Sequence, residues 1–502
     1  MTLATRALRN SALSLGGAVV SLGAAIFVSA VVARTLGPAR MADFTYAFWW
    51  ATVFGSFANL GLPPLLTKYV AEYTAREETG TAEQIVRRTS GAQLIAGIAG
   101  TGAAVLAMRL WWKDASLGTI VAAAALVLPF CVQQSAAGAL VGLQRYDRLL
   151  RISLAASATK VVLVLMMAEL HASTAGMLAV FVGGSLVEAT LTVIVLYGLL
   201  SGHQQLPSPT ETVSVLRRLK KLAAVAMFIS LSDAVVWERS EAFFLKQYAR
   251  VRDLADYGVA FELARKAVGL GSLFANVLLP IGCEAYARGG DAELRRVYNQ
   301  SMKYMAIAMC PLAVAGVSLA PLLVVLSYGG AYRPAVFPLQ ILLSAMPVIS
   351  VAQVGDMVVF AKERQPAFAP LTVPLAVLNI FLAWLLVRPW GASGAALANA
   401  LTQVSAMVIG AIYMERMISV RGFPWRTLLR IALAAAASSL PIVAAFRAGA
   451  GMILTVGAIV LAGACYLALL AALREISPRD VSIMREAFGS RRLSAAAAKG
   501  QQ

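Results

Sequence analysis

Long apolar runs separated by short polar breaks follow one another from Ser11 to Leu473. A helix needs about 20 mostly apolar residues to cross a hydrocarbon core of about 30 Å. The pattern predicts fourteen such segments, at 11–33, 43–66, 91–109, 117–140, 149–168, 174–200, 222–246, 255–281, 302–327, 335–360, 367–388, 391–415, 427–446 and 451–473. The predicted fold class is therefore an all-α polytopic membrane protein. Arg6 and Arg9 ahead of the first run would suit a secretory signal. That run is uncharged from Ser11 to Ala33, longer than the ~7–15 residues of a signal core, and further segments follow it.

Composition agrees, with 59% hydrophobic residues and a mean hydropathy of +0.75. The charge is uneven: 43 Lys and Arg against 25 Asp and Glu give +18. Most basic residues fall in breaks that lie on one side when both termini are cytoplasmic, including Arg87-Arg88, Arg145 to Arg151, Arg217 to Lys221 and Arg416 to Arg430. This is the bias expected of inserted helices, so the net charge reads as a topology signal and a match to anionic lipid headgroups. No basic groove with interleaved aromatics marks a nucleic-acid partner.

Catalytic chemistry has no constellation to stand on. Cys131, Cys283, Cys310 and Cys465 are isolated in or beside apolar segments and read as buried packing residues. His171 and His203 fall in breaks, far from those cysteines and from each other along the chain. A GxxxxGK[ST] phosphate loop is absent. The expectation is no enzyme, no metal and no cofactor.

The chain repeats itself at an offset of about 210–218 residues. Ala42-Asp43-Phe44 returns as Ala255-Asp256-Tyr257, Leu62-Pro63 as Leu279-Pro280, and Ala33-Arg34 as Ala249-Arg250. Gly80 to Glu83 matches Gly290 to Glu293, with Thr81 and Asp291 as expected N-caps of short cytoplasmic helices. A six-helix unit begins and ends on one side, so two of them form a parallel repeat. The predicted organisation is an N-terminal lobe at 1–200, a cytoplasmic linker at 201–221 and a C-terminal lobe at 222–415. Two added helices follow at 416–473, then a basic cytoplasmic tail at 474–502. In that tail Ser477-Pro478-Arg479-Asp480 predicts the start of a short amphipathic helix.

Charged residues inside the segments point to a pathway, because each costs about 2.5–3.5 kcal/mol at a helix centre and so faces an interior or a water-filled space. Segment seven carries Asp233, Glu238, Arg239 and Glu241; segment eight carries Glu262, Arg265 and Lys266. Their matched depths predict one polar cluster in which acids balance cations. Lys160 and Glu188, on segments five and six, are expected to neutralise each other. Phe48-Trp49-Trp50 could serve as an aromatic wall for sugar stacking or as an interfacial belt.

Three stretches carry a family likeness: Ala33 to Pro38 (ARTLGP), Asn59 to Pro63, and Leu66 to Glu72. With Gly142-Leu143-Gln144 and Ser393 to Ala398, the chain resembles the Wzx-type polysaccharide-biosynthesis flippases of the multidrug/oligosaccharidyl-lipid/polysaccharide exporter superfamily. The resemblance implies twelve helices in two lobes plus two more. It also implies transfer of an undecaprenyl-pyrophosphate-linked oligosaccharide from the cytoplasmic to the periplasmic leaflet of the bacterial inner membrane, for exopolysaccharide, capsule or O-antigen synthesis. A glycan polymerase and chain-length proteins would be its partners. Arg34 matches the arginine of the family's first-helix motif. An anionic pyrophosphate wants cations, and Arg34, Lys160, Arg239, Arg265 and Lys266 are the candidates, with Glu188, Asp233, Glu238, Glu241 and Glu262 as charge-balancing groups. A drug/cation antiporter of the same superfamily, a lipid II flippase and a membrane glycan polymerase or ligase are the rival readings.

Overall fold

The computed structural model describes residues 3–76, 78–200, 227–228, 240–362, 364, 369–418, 424–449 and 451–475, and every regular element among them is helical. In order these are α1 (Leu3–Ala58), α2 (Leu62–Ala75), α3 (Thr79–Trp111), α4 (Leu117–Ala124), α5 (Val127–Gly142), α6 (Tyr146–Glu169) and α7 (Thr174–Leu200). They continue with α8 (Glu241–Tyr248), α9 (Val251–Tyr328), α10 (Val336–Ala361), α11 (Thr372–Ile418), α12 (Trp425–Ser438), α13 (Leu440–Arg447) and α14 (Met452–Ala472). A 3-10 turn over Gly330–Ala335 joins α9 to α10.

Ten helices among the described residues are long and apolar enough to cross a membrane, and the chain is a multi-pass membrane protein. The predicted count of fourteen is not established, since most of segment seven lies outside the described residues. Segments one and two, eight and nine, and eleven and twelve run as single long helices, each broken at one glycine. Gly37, Gly290 and Gly391 take φ of 68°, 59° and 50° there, a left-handed backbone that glycine enters without a Cβ clash. Segment two ends early, at Ala58, because Leu60 and Gly61 both have positive φ and Pro63 and Pro64 have no N–H to continue the ladder. Segment four divides at Ala125-Leu126, where the Pro129 ring meets the carbonyl four residues back, and segment thirteen divides at Ser439 ahead of Pro441.

Some local expectations fail. Thr81 lies buried inside α3, whose N-cap is Glu78, so the short cytoplasmic helix and segment three are one helix of 33 residues. Asp291 follows the kink inside α9, where it pairs with Lys362 at 2.8 Å. Cys131 and Cys310 are buried, but Cys283 is exposed and Cys465 partly so, because both lie on surface-facing stripes of their helices. The linker at 201–221 and the tail beyond Glu475, with its Ser477-Pro478 helix start, fall outside the described residues.

Two compact units organise the contacts. The first comprises residues 1–273, 321–342 and 363–409. Its core is built on α2, α3 and α5 around Leu66, Tyr69, Val70, Ile85, Ala139 and Leu140, with Leu196 of α7. Gly138 and Gly142 on α5 let α2 approach closely: a Cβ would stand 2.5 Å from the Pro63 carbonyl oxygen at one and 2.7 Å from that of Thr67 at the other. Thr67 closes the contact by donating to the Gly138 carbonyl at 2.9 Å. Packing of this kind drives helix association in lipid, where the hydrophobic effect between helices is absent. Gly142→Val is therefore expected to lower folded abundance, by the 1–3 kcal/mol typical (about) of overpacking, as read by size-exclusion profile after detergent extraction. The second unit comprises residues 274–320, 343–362 and 410–502. In it Tyr466 of α14 donates to the Ile307 carbonyl at 3.0 Å, and Arg430 pairs with Glu475 at 3.3 Å.

Candidate functional site: a charge-balanced cavity

A cavity of about 270 Å³ opens within the first unit. Four helices build it by periodicity. On α1, Ser21, Val28, Ser29 and Val32 share one face, and the small Ser21, Ala24 and Ala25 leave room. Ser153, Ser157 and Lys160 follow at i, i+4 and i+7 on α6; Phe181 and Glu188 line it from α7; Gly258 and Glu262 line it from α9. Past the Gly37 kink, Phe44 and Phe48 complete an aromatic wall with Phe181, at centroid distances of 5.4 to 6.1 Å. The Ser21 and Ser153 hydroxyls lie 2.9 Å apart.

Charge in the cavity is balanced. Lys160 Nζ sits 3.2 Å from Glu188 Oε2, and Gln133 donates to the other carboxylate oxygen at 3.3 Å. The lysine stem reaches across α7 over Gly184, where a Cβ would stand 2.6 Å from Lys160 Cε. Glu262 is paired with Lys266 one turn along α9. Two carboxylates and two ammonium groups thus neutralise each other in or beside this space.

The predicted site residues do not gather into one basic surface. Lys160, Glu188 and Glu262 line the cavity; Lys266 stands beside it, and Arg265 is exposed on α9 outside the lining. Arg34 lies in the last turn of α1 before the Gly37 kink, donating through Nε to the Ser327 carbonyl at 2.8 Å and through Nη2 to that of Leu326. Asp233, Glu238 and Arg239 lie outside the described residues.

Glu241 occupies a separate centre and does not face Arg265 or Lys266. It is fully buried and accepts hydrogen bonds from Tyr257 at 2.7 Å, Asn379 at 2.9 Å and Asn399 at 3.2 Å. Ser240 donates to Asn379 Oδ1 at 2.6 Å. These partners went unread in the sequence, though an asparagine in the middle of each of two apolar segments was a signal, since a buried amide needs partners. The Phe48 to Trp50 run also divides: Phe48 faces the cavity, whereas Trp49 and Trp50 pack with Tyr46 and, through Trp49, with Phe243.

Residues 7–285 match the family described as polysaccharide biosynthesis protein, which is more than half of the chain. The protein belongs to that family. Solved structures of the MOP superfamily share its fold. An inward-facing multidrug resistance MATE family transporter aligns over 82% of this chain and 98% of its own at 14% identity, with a TM-score of 0.66. The lipid II flippase MurJ, in an inward closed conformation, aligns over 92% of this chain and 98% of its own at 14% identity, TM-score 0.69. A MOP superfamily transporter from Pyrococcus furiosus aligns over 83% of this chain and 95% of its own at 13% identity, TM-score 0.53. No curated protein matches the chain. Membership places the chain among polysaccharide biosynthesis proteins, and its fold is the one those solved transporter structures share.

Proposed function

We propose that the protein moves a lipid-linked oligosaccharide from the cytoplasmic to the periplasmic leaflet of a bacterial inner membrane, with both termini cytoplasmic and no chemical step of its own. The lobes at 1–200 and 222–415 would rock about the pathway, joined by the linker at 201–221. The observation that carries this reading is the cavity lining. Serine hydroxyls, a phenylalanine wall and neutralised ion pairs suit sugar rings, whose hydroxyl edges take hydrogen bonds and whose C–H faces rest on aromatic rings. A purely lipidic cargo has no use for the polar half of that lining, and buried ionisable groups in a membrane protein mark a pathway. Arg265 and Lys266, next to Glu262 on α9, are the cations proposed to meet the pyrophosphate, a role also proposed for Arg239, with Asp233 and Glu238 as balancing acids.

Deleting the protein should abolish a surface or secreted glycan while its lipid-linked precursor accumulates in the inner leaflet. Arg265→Ala and Lys266→Ala should reproduce that defect at near-normal abundance. Precursor that reaches the outer leaflet and stays unpolymerised would favour a polymerase instead. Rescue of cells depleted of their lipid II flippase would move the cargo to lipid II.

A further inference from the structure

Two contacts between residues far apart in sequence lie toward the end of the cavity remote from the α1 N-terminus. In the first, the last turn before the Gly37 kink grips the end of α9. The Ser29 and Tyr328 hydroxyls lie 2.6 Å apart, Tyr332 donates to the Ala33 carbonyl at 2.8 Å, and Arg34 holds the carbonyls of Leu326 and Ser327. Those carbonyls belong to the final turn of α9, where a helix has no amides left to offer them and where its dipole favours a cation. In the second contact, Lys246 in the last turn of α8 lies 3.5 Å from Asp43 and over the rings of Tyr46 and Trp112, at 5.9 and 5.5 Å. Trp112 is the residue that closes α3.

The two contacts are reciprocal. At the 216-residue offset that relates Arg34 to Arg250, Ser327 at the end of α9 corresponds to Trp111 at the end of α3. A first-half helix end thus grips a second-half helix end, and a second-half helix end grips the equivalent place in the first half. Ser29 belongs both to this contact and to the cavity wall.

We propose that these reciprocal clasps are the gate that shuts the cavity at this end, with Arg34 and Lys246 as its positioning residues, and that translocation requires both to release. The inference rests on the transporter reading above. Its chemistry separates it from structural glue. Arg34 is exposed and bonded to backbone carbonyls, so its release strands no buried charge, and Lys246, 17% exposed, parts from an Asp43 that is 42% exposed. Parting Lys160 from Glu188, whose side chains are 26% and 22% exposed, would leave ions poorly solvated. The Arg34 clasp is thus a contact that can open at little cost.

A cross-link across the same end tests the gate. A Cβ built on Gly258 would stand 3.1 Å from Thr45 Cβ, close to the ~3.5–4.5 Å of a disulfide. Three proteins would be compared in sealed vesicles, each with Ser157→Cys as reporter in the cavity and Cys131, Cys283, Cys310 and Cys465 replaced by serine. They are the reporter alone, the reporter with Arg34→Ala and Lys246→Ala, and the reporter with the Thr45→Cys/Gly258→Cys pair. A membrane-impermeant maleimide is applied from the side of the clasped end. Labelling of the reporter should rise at least tenfold in the clasp-free protein, be lost when the pair is oxidised, and return on reduction. Equal labelling before and after oxidation overturns the proposal, and because the cross-link removes no contact this holds even where the clasp-free protein folds poorly. The readout needs no cargo. The expected labelling pattern combined with unchanged glycan export in a deletion strain would overturn the cargo assignment and support the gate.

Discussion

Glu241→Ala is expected to empty the membrane of folded protein. The substitution leaves Tyr257, Asn379 and Asn399 with donors aimed at a space that no longer holds an acceptor, inside a fully buried centre. Each unsatisfied buried donor costs about 1–3 kcal/mol, and three at once amount to a large part of the ~5–15 kcal/mol that holds a typical fold. Relaxation lowers the total, since hydrogen bonds between membrane helices average only about 0.6 kcal/mol by double-mutant cycle. Glu241→Gln preserves shape and one acceptor oxygen, so it should keep most of the abundance that alanine loses. Thermal aggregation of detergent-solubilised protein would check this, and equal stability of both variants would show that the centre contributes little to the fold.

Gly184→Ala should act on transport while sparing the fold. The added methyl occupies the path of the Lys160 stem, and a flexible side chain yields before a backbone does. Lys160 then leaves Glu188, breaking a charged hydrogen bond of the class worth about 1.5–3 kcal/mol. Translocation should fall by about tenfold, the rate equivalent of ~1.4 kcal/mol. If the lysine is the intermediary, Gly184→Ala should add nothing to Lys160→Ala in a double-mutant cycle. Additive losses, read as the rate at which lipid-linked glycan appears in the outer leaflet, would show that Gly184 acts by another route.

The span pattern was legible in the apolar periodicity because lipid imposes a single strong rule on length and polarity. The breaks were less so. Gly37, Gly290 and Gly391 look like any membrane glycine in sequence, and their positive φ is a consequence of how the flanking helices pack. Lys160 and Glu188 could be matched because two opposite charges at mid-depth on consecutive segments have few other partners. Glu241 could not be placed by depth alone. Its partners Asn379 and Asn399 come from the two arms of α11, more than a hundred residues away, and carry no charge to announce them. The same limit hid Lys246, whose companions are the rings of Tyr46 and Trp112 as much as Asp43.

The three one-glycine turns bear on how the protein can be handled at the bench. A connection made of a single residue has no slack, so an epitope tag, a glycosylation acceptor or a protease site placed at Gly37, Gly290 or Gly391 must push apart helices that the turn holds together. Topology reporters belong at other breaks, such as Lys113 to Ser116 between α3 and α4, where the chain already leaves the helix and Ser116 caps the next one at 3.2 Å. Insertional scanning should therefore map these three positions as silent gaps in an otherwise tolerant series of loops.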